Sequence, residues 1–414
     1  MGSNTGVVVI GAGPYGLSVA AHLTKAGLKP RVFGRAMDTW RAFMPNGMVL
    51  KSEGFAMNLS DPDRAYPLEA FCAERGIPYR RTGWPVPVEV FAAYGEAFQK
   101  RFVPQLEDQD VVGVARRDGG FQITLRSGAS LLASQVVLAM GIRAFARPAP
   151  VLAALPADRV THSADQGDTE WFRGQRVAVL GGGASAMDVA AALHRRGAEA
   201  VAITHRAAVR FYPPNPLRDR MLSPLTPLGP GWKKQLCVKL PDLFHILPQR
   251  LRRHLVSTYL GPAPAWSVRE IVEAHTDLRL CTEVMRAGMV GGRVALTLSG
   301  PEGVEVLLVD HVIAATGYEI DIDRLAILDA PLRAALRQAG ADLALSSSFE
   351  TRIPGLFMVG TPAATSFGPL LRFVCGTDFA ARRTAGRVMR SQAFLDCETT
   401  RRERAGAVMP LFKA

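Results

Sequence analysis

Short, wholly apolar runs alternate along this chain with longer stretches in which apolar residues recur every three or four positions, a rhythm that predicts parallel strands joined by helices. Val7, Val8, Val9 and Ile10 have no polar residue among them, as a strand covered on both faces requires. Leu17, Val19, Ala20 and Leu23 then follow at helical spacing, and Gly27 closes the helix. The same pair of patterns returns at residues 177–180 and 187–194, and residues 30–33 and 200–204 read as the next strand of each unit. Residues 91–102 carry an amphipathic helix, while 111–114, 121–125 and 131–138 alternate as short strands. Strands return over 304–315 and 355–360; Phe367, Gly368 and Pro369 then introduce a helix from Leu370 to about Met389, with Pro369 in its first turn.

Three stretches break the rhythm. Residues 40–61 have neither period and read as a functional loop. Residues 148–171, with Pro148, Pro150 and Pro156, read as a linker. Residues 211–266 begin proline-rich (Pro213, Pro214, Pro216, Pro224, Pro227, Pro230) and continue as a mostly helical insertion placed to cap a site, with a mix of Leu, Phe and Arg that also permits peripheral membrane contact. The expected fold class is therefore α/β, with two Rossmann-like dinucleotide-binding domains, the second inserted in the first, plus that helical insertion. The expected limits are 1–165 with 310–414 for the first domain and 166–309 for the second.

Between each leading strand and its helix lies a glycine-rich turn. Gly11, Gly13 and Gly16 stand as G-x-G-x-x-G around Pro14 and Tyr15; Gly181, Gly183 and Ala186 stand as G-x-G-x-x-A around Ala184 and Ser185. The first glycine makes a tight turn, the second lets a pyrophosphate approach the backbone, and the third position lets helix and strand pack closely. The phosphates rest on the helix N-terminus. Two such turns, each between strand and helix, predict two dinucleotides. The acidic residue that commonly holds the adenosine ribose about 20 residues past the turn is absent from the first copy, which leaves the backbone of residues 33–35 and the Arg35 side chain for that task. In the second copy His205 and Arg206 follow the next strand, and a cation there suits a 2'-phosphate, favouring NADP over NAD.

The 414 residues are 48% hydrophobic and 21% charged, enough for a sizeable core in two or three domains. No apolar run approaches the roughly 20 residues of a membrane span. No signal-peptide pattern leads the first strand, and the five cysteines never stand as C-x-x-C. These features predict a cytoplasmic protein with free thiols. The net charge of +12 suits an anionic cofactor or substrate. With no basic patch interleaved with aromatics, nucleic acid is not an expected partner, and no metal site is expected.

The order of features (one glycine turn near the start, a second at mid-chain, ATGY at 315–318, an apolar strand and glycine before the last helix) resembles the flavoproteins with two dinucleotide domains. It resembles most closely the class B flavin monooxygenases, in the branch of ornithine and lysine N-hydroxylases. The likeness spans nearly the whole chain, including WRAFMPNGMVLKSEG, the THS at 161–163 and SFGPLLRF at 366–373. It implies FAD in the first domain and NADPH in the second. FAD would be contacted by Gly11, Gly13, Pro14, Tyr15 and Gly16, by Gly34 and Arg35, and by Trp40, Lys51 and Ser52 near the isoalloxazine. The Val112 backbone would face adenine, Gly360, Thr361 and Leu370 would lie beside the ring, and Gly141 joins the cofactor-binding set. NADPH would take Gly181, Gly183, Ala184, Ser185 and Arg206. His162 and Ser163, near the nicotinamide, form with Lys51 the implied catalytic set.

The expected function is an FAD- and NADPH-dependent monooxygenase in which NADPH reduces the flavin and O2 is activated at its C4a position. One oxygen atom passes to a small organic substrate, N-hydroxylation favoured, and the other leaves as water. The helix beginning at Pro369 would aim its positive end at the flavin, and Asp188 reads as structural. Two further readings stay open: an NAD(P)H-dependent flavoprotein reductase of an electron carrier, and a nucleotide-binding redox sensor without turnover. Thiol exchange is disfavoured by the missing C-x-x-C. Substrate identity and oligomeric state are not legible in these patterns.

Overall fold

A computed structural model describes residues 4–117, 119–212, 223–259, 261, 263–338 and 343–407. Two sheets organise them. In the first, strand Asn4–Ile10 lies parallel between Arg31–Phe33 and Ser130–Leu138, and Leu356–Met358 adds to the far side of Ser130–Leu138. Leu106–Glu107 extends the other edge, while Val111–Arg117 and Gly120–Leu125 join as antiparallel strands. Helix Pro14–Lys25 covers one face, packed against helix Thr377–Ala407. Val7, Val8 and Val9 are fully enclosed, which accounts for their unbroken apolar run.

The second sheet is wholly parallel, in the order Thr276–Arg279, Glu199–Ile203, Arg176–Leu180, His311–Ala314, Val160–His162. It therefore takes in strands on both sides of the expected 166–309 span. Its central strand alternates: Val177 and Val179 face helix Ala184–Arg195, whereas Ala178 and Leu180 face a three-stranded antiparallel sheet, Glu283–Val290, Arg293–Gly300 and Gly303–Val309.

The expected amphipathic helix runs Val88–Phe102. Residues 40–61 are mostly irregular, with the end of helix Asp38–Ala42, strand Val49–Leu50 and a single turn Gly54–Ala56. The described part of the insertion carries helices Trp232–Lys239, Pro241–His245 and Gln249–Thr258; Pro213, Pro214 and Pro216 lie outside the described residues.

One expectation is corrected. The last helix starts at Thr377, not at Pro369 or Leu370; residues 369–376 form two separate short 3-10 turns, Pro369–Arg372 and Val374–Gly376. The Tyr15 hydroxyl donates to the carbonyls of Leu371 (3.0 Å) and Phe373 (2.8 Å), and Phe373 itself is extended at φ −124°, ψ 160°. An extended residue cannot continue a helix. No helix N-terminus is therefore supplied at Pro369.

Candidate active site

The first glycine turn is built as its spacing requires. A Cβ on Gly11 would lie 2.3 Å from the Ala139 carbonyl oxygen, and one on Gly16 would lie 1.8 Å from that of Gly11; strand and helix close on each other only without side chains there. Gly13 differs, because a Cβ there would meet nothing within 4 Å. Gly13 caps helix Pro14–Lys25, and as a glycine it offers the first-turn N–H groups no side-chain acceptor. A cradle shut on its inner side and bare on its outer side fits a pyrophosphate.

Around it stand other residues the sequence singled out. Gly34, at φ +128°, follows the second strand and passes the turn so closely that its Cβ would sit 3.4 Å from the Ala12 nitrogen. Arg35 is engaged by Asp38 (3.2 Å) and Asp110 (3.3 Å). Val112, two residues beyond Asp110, is exposed at a bulge in its strand. Gly360, at φ +86°, opens the turn Thr361–Ala363, and a Cβ there would lie 3.5 Å from the Tyr15 ring. Leu370 is buried, and Tyr15 is tied by its hydroxyl to the segment that follows it. Burial holds the Tyr15 phenol well above its ordinary pKa. Trp40 stacks edge-on against Phe91 at 4.8 Å, so its ring braces the loop. Gly141 sits exposed past the end of Ser130–Leu138, with nothing within 4 Å of its Cβ position.

The second turn repeats the design. A Cβ on Gly181 would lie 2.4 Å from the Ala315 carbonyl oxygen, Ala186 is fully buried against the strand, and Gly183 caps helix Ala184–Arg195 with no side-chain bond to the helix. Arg206, exposed, donates from Nη1 to the Gly182 carbonyl at 3.3 Å, which places its guanidinium at the rim of this turn.

Three buried polar atoms near this turn, His162 Nε2, Ser163 Oγ and Asp188 Oδ1, find no hydrogen-bond partner of good geometry among the described residues. His162 Nδ1 accepts from the Ala164 N–H at 3.0 Å, which assigns the ring proton to Nε2. Burial lowers the His162 pKa, with Asp165 and the Gly317 backbone opposing, so the ring is neutral near pH 7. Tyr318 of the ATGY stretch lies edge-on to His162 at 5.6 Å, and burial raises its pKa while the facing Ser163 and Ser185 hydroxyls pull the other way. Buried polar atoms in native proteins are mostly paired, so polar side chains with spare hydrogen-bonding capacity gathered at one place are open to a ligand. Their clustering at an uncapped helix start fits a polar ligand such as a dinucleotide.

Lys51 joins the two cradles. It comes from the irregular loop of the first unit, and Asp188 comes from the helix after the second turn. Burial pushes the Asp188 carboxyl up to about 7, with Lys51 and Arg195 opposing, and burial lowers Lys51, with Asp188 opposing and Arg372 adding to the fall. The same loop touches the second unit elsewhere: Asn46 N–H donates to Gly167 at 3.1 Å and Arg195 donates to Gly47 at 3.3 Å. Lys51 also donates to the Ala263 carbonyl of the insertion at 3.0 Å. A cavity of about 150 Å³ opens here, lined by Lys51, Ser52, Tyr212, Leu228, Ala263 and Phe373 among others. Sequence reasoning takes Asp188 as structural and gives Tyr318 no role. The signal available for Asp188 was a lone acid on the otherwise apolar inner face of the second helix.

The model of the pyridine nucleotide-disulphide oxidoreductases matches residues 5–223, more than half of the chain, and runs through both turns. The chain belongs to that family. A bifunctional thioredoxin reductase/thioredoxin of Mycobacterium leprae is 30% identical over 200 residues, which is 48% of this chain; the match spans only 37% of that relative's length. Over the whole fold, the ornithine hydroxylase of Pseudomonas aeruginosa superposes with a TM-score of 0.74 at 18% identity, covering 94% of this chain and 99% of the other. An ornithine N-hydroxylase of Kutzneria sp. 744, solved with reduced FAD, NADP+ and L-ornithine, gives 0.73 at 17% identity, covering 94% and 100%. The expected fold of two Rossmann-like units is thus the fold this chain shares with flavoproteins.

Proposed function

We propose that this chain is an FAD- and NADPH-dependent monooxygenase acting on a small organic substrate, with an amine nitrogen as the favoured site of oxygenation. The observation that carries the reading is the pair of glycine turns, each closed on its inner side where a Cβ would strike a carbonyl oxygen and each leading into a helix capped by glycine. Full-length likeness to two ornithine hydroxylases supports it. A C-x-x-C is missing from the chain, which disfavours the thiol exchange of the reductase relative.

The first unit, residues 1–165 with 310–414 less the two strands that join the second sheet, would hold FAD through Gly11, Gly13, Pro14, Gly16, Gly34, Lys51, Ser52, Gly360 and Thr361. The second would hold NADPH through Gly181, Gly183, Ala184, Ser185 and Arg206. When bound, this pair supplies hydride transfer and the reaction with dioxygen. The chain supplies position, polarity and dryness. His162 Nε2–H and the Ser163 hydroxyl are the donor and the donor or acceptor that would hold a nicotinamide carboxamide. Asp188, whose carboxyl is pushed up to about 7 by burial with the Lys51 charge opposing, is the acid of this site that would take or give one proton near neutral pH. The insertion closes the cleft, held by Lys51 to Ala263 and by Arg372 Nη1 to the Val256 carbonyl at 3.2 Å. Excluding water there protects a reactive oxidant from wasteful breakdown.

Oxygen uptake and peroxide release, followed with NADPH and a panel of amines, test the reading. Uptake stimulated by an amine, with little peroxide, is the expected result. Turnover only with artificial electron acceptors would mean a reductase, and no reoxidation by any acceptor would mean a sensor.

A further inference from the structure

The helical insertion has two unlike sides. Its inner side is anchored on the first unit: Phe244 is buried against Gly368, His245 stacks on Phe367 at 4.8 Å with its Nδ1 3.2 Å from the Ser366 carbonyl, and Asp242 pairs with Arg383 at 2.5 Å. Trp232 and Leu236 on helix Trp232–Lys239, Leu240 at the break after it, Leu243 on helix Pro241–His245 and Ile246 just past its end are from 47% to 76% exposed. Scattered exposed apolar residues are ordinary on a protein, but five large ones within residues 232–246 are not.

The charge of this segment is one-sided. Residues 232–258 contain Lys233, Lys234, Lys239, Arg250, Arg252 and Arg253 against one acid, Asp242, which is already paired on the inner side. A second copy of this surface would set the same cations against one another, in a protein already at net +12, so self-association is disfavoured. A nucleic acid would meet the cations but leave four aliphatic side chains with nothing to stack on or hydrogen-bond. An indole and four aliphatic groups exposed in a segment of strongly positive sequence fit a surface that is anionic outside and hydrocarbon beneath.

We propose that the outer face of residues 232–251 seats on an anionic lipid surface, with Trp232, Leu236, Leu240, Leu243 and Ile246 entering the acyl boundary and the segment's cations meeting the headgroups. The insertion also lines the cavity beside Lys51, through Tyr212, Leu228 and Ala263, so this contact places the cavity within reach of the interface. It does not depend on the redox reading, since no residue of either glycine turn takes part.

The test is co-sedimentation of the full chain with phosphatidylcholine vesicles containing about a third phosphatidylglycerol, against pure phosphatidylcholine. Binding at least about tenfold stronger to the anionic vesicles, weakened by added salt, is expected. The double variant Leu243→Glu/Ile246→Glu should lose about tenfold or more of that binding with its melting temperature unchanged, because neither side chain is buried. Lys233→Gln/Lys239→Gln should weaken binding to the anionic vesicles alone. Wild type left in the supernatant, or equal sedimentation of wild type and the acidic double variant, would overturn the proposal. So would a lipid-free dimer dissolved by Ile246→Glu, or retention on nucleic acid as strong as on the vesicles.

Discussion

Replacing Gly13 by Ala should remove the first cofactor while leaving the protein folded. Gly13 has φ −82° and ψ −174°, a conformation open to any L-residue, and its Cβ would touch no protein atom within 4 Å. Alanine is a poorer helix N-cap than glycine by up to about 1 kcal/mol, and the stiffer unfolded chain returns about 0.4–1 kcal/mol. These nearly cancel, so the melting temperature of the apoprotein should move by no more than about 3 °C. The methyl group would instead occupy the space through which the backbone reaches a pyrophosphate. Losing one charge-assisted hydrogen bond, about 1.5–3 kcal/mol, raises the Kd for FAD about 10- to 150-fold. The assay is fluorescence titration of apoprotein with FAD, beside thermal unfolding. Gly16→Ala is the contrast: its Cβ would lie 1.8 Å from the Gly11 carbonyl oxygen, so it should lower both flavin affinity and melting temperature. Wild-type FAD affinity in folded Gly13→Ala would refute the assignment of this turn as the cradle.

Other consequences follow from single contacts. Arg206→Gln should raise KM for NADPH about 10- to 100-fold and leave KM for NADH nearly unchanged, because only the 2'-phosphate loses its cation; equal effects on both would remove Arg206 from that role. Asp188→Asn should stabilise the apoprotein at pH 8 by about 2–4 kcal/mol, because a carboxyl raised to about 7 in the fold penalises folding once the unfolded chain ionises near pH 4. The penalty grows between about pH 4 and pH 7 and is constant above, so the gain should vanish below pH 4 in denaturant titrations. The same variant should delete the titration near pH 7 from the rate of flavin reduction. Tyr15→Phe leaves the Leu371 and Phe373 carbonyls without their phenol donor, and should lower stability by about 1–3 kcal/mol, read by thermal unfolding.

What could be read from the chain beforehand was local. Each glycine turn declares itself because its strand, turn and helix are contiguous, and the steric reasons for Gly11, Gly16 and Gly181 involve backbone that the local geometry brings close. The start of the last helix was misread because Pro369 is a good first-turn residue by local rules. What stops a helix there is the Tyr15 hydroxyl, far away in sequence, holding two carbonyls of that segment. Asp188 reads as structural for the same reason: Lys51, whose charge opposes the rise of its pKa, lies in a loop without periodicity that packs against the second unit. Tyr318, visible as part of ATGY, gains meaning only beside His162, Ser163 and Ser185.

The account stands on electrons passing from one cradle to the other. Anaerobic mixing of FAD-loaded protein with NADPH, watched at the visible flavin band, tests this directly. Rapid bleaching that slows markedly in Arg206→Gln at limiting NADPH is the predicted result. A protein that cannot be loaded with FAD, or one whose loaded flavin keeps its colour under NADPH, would contradict it.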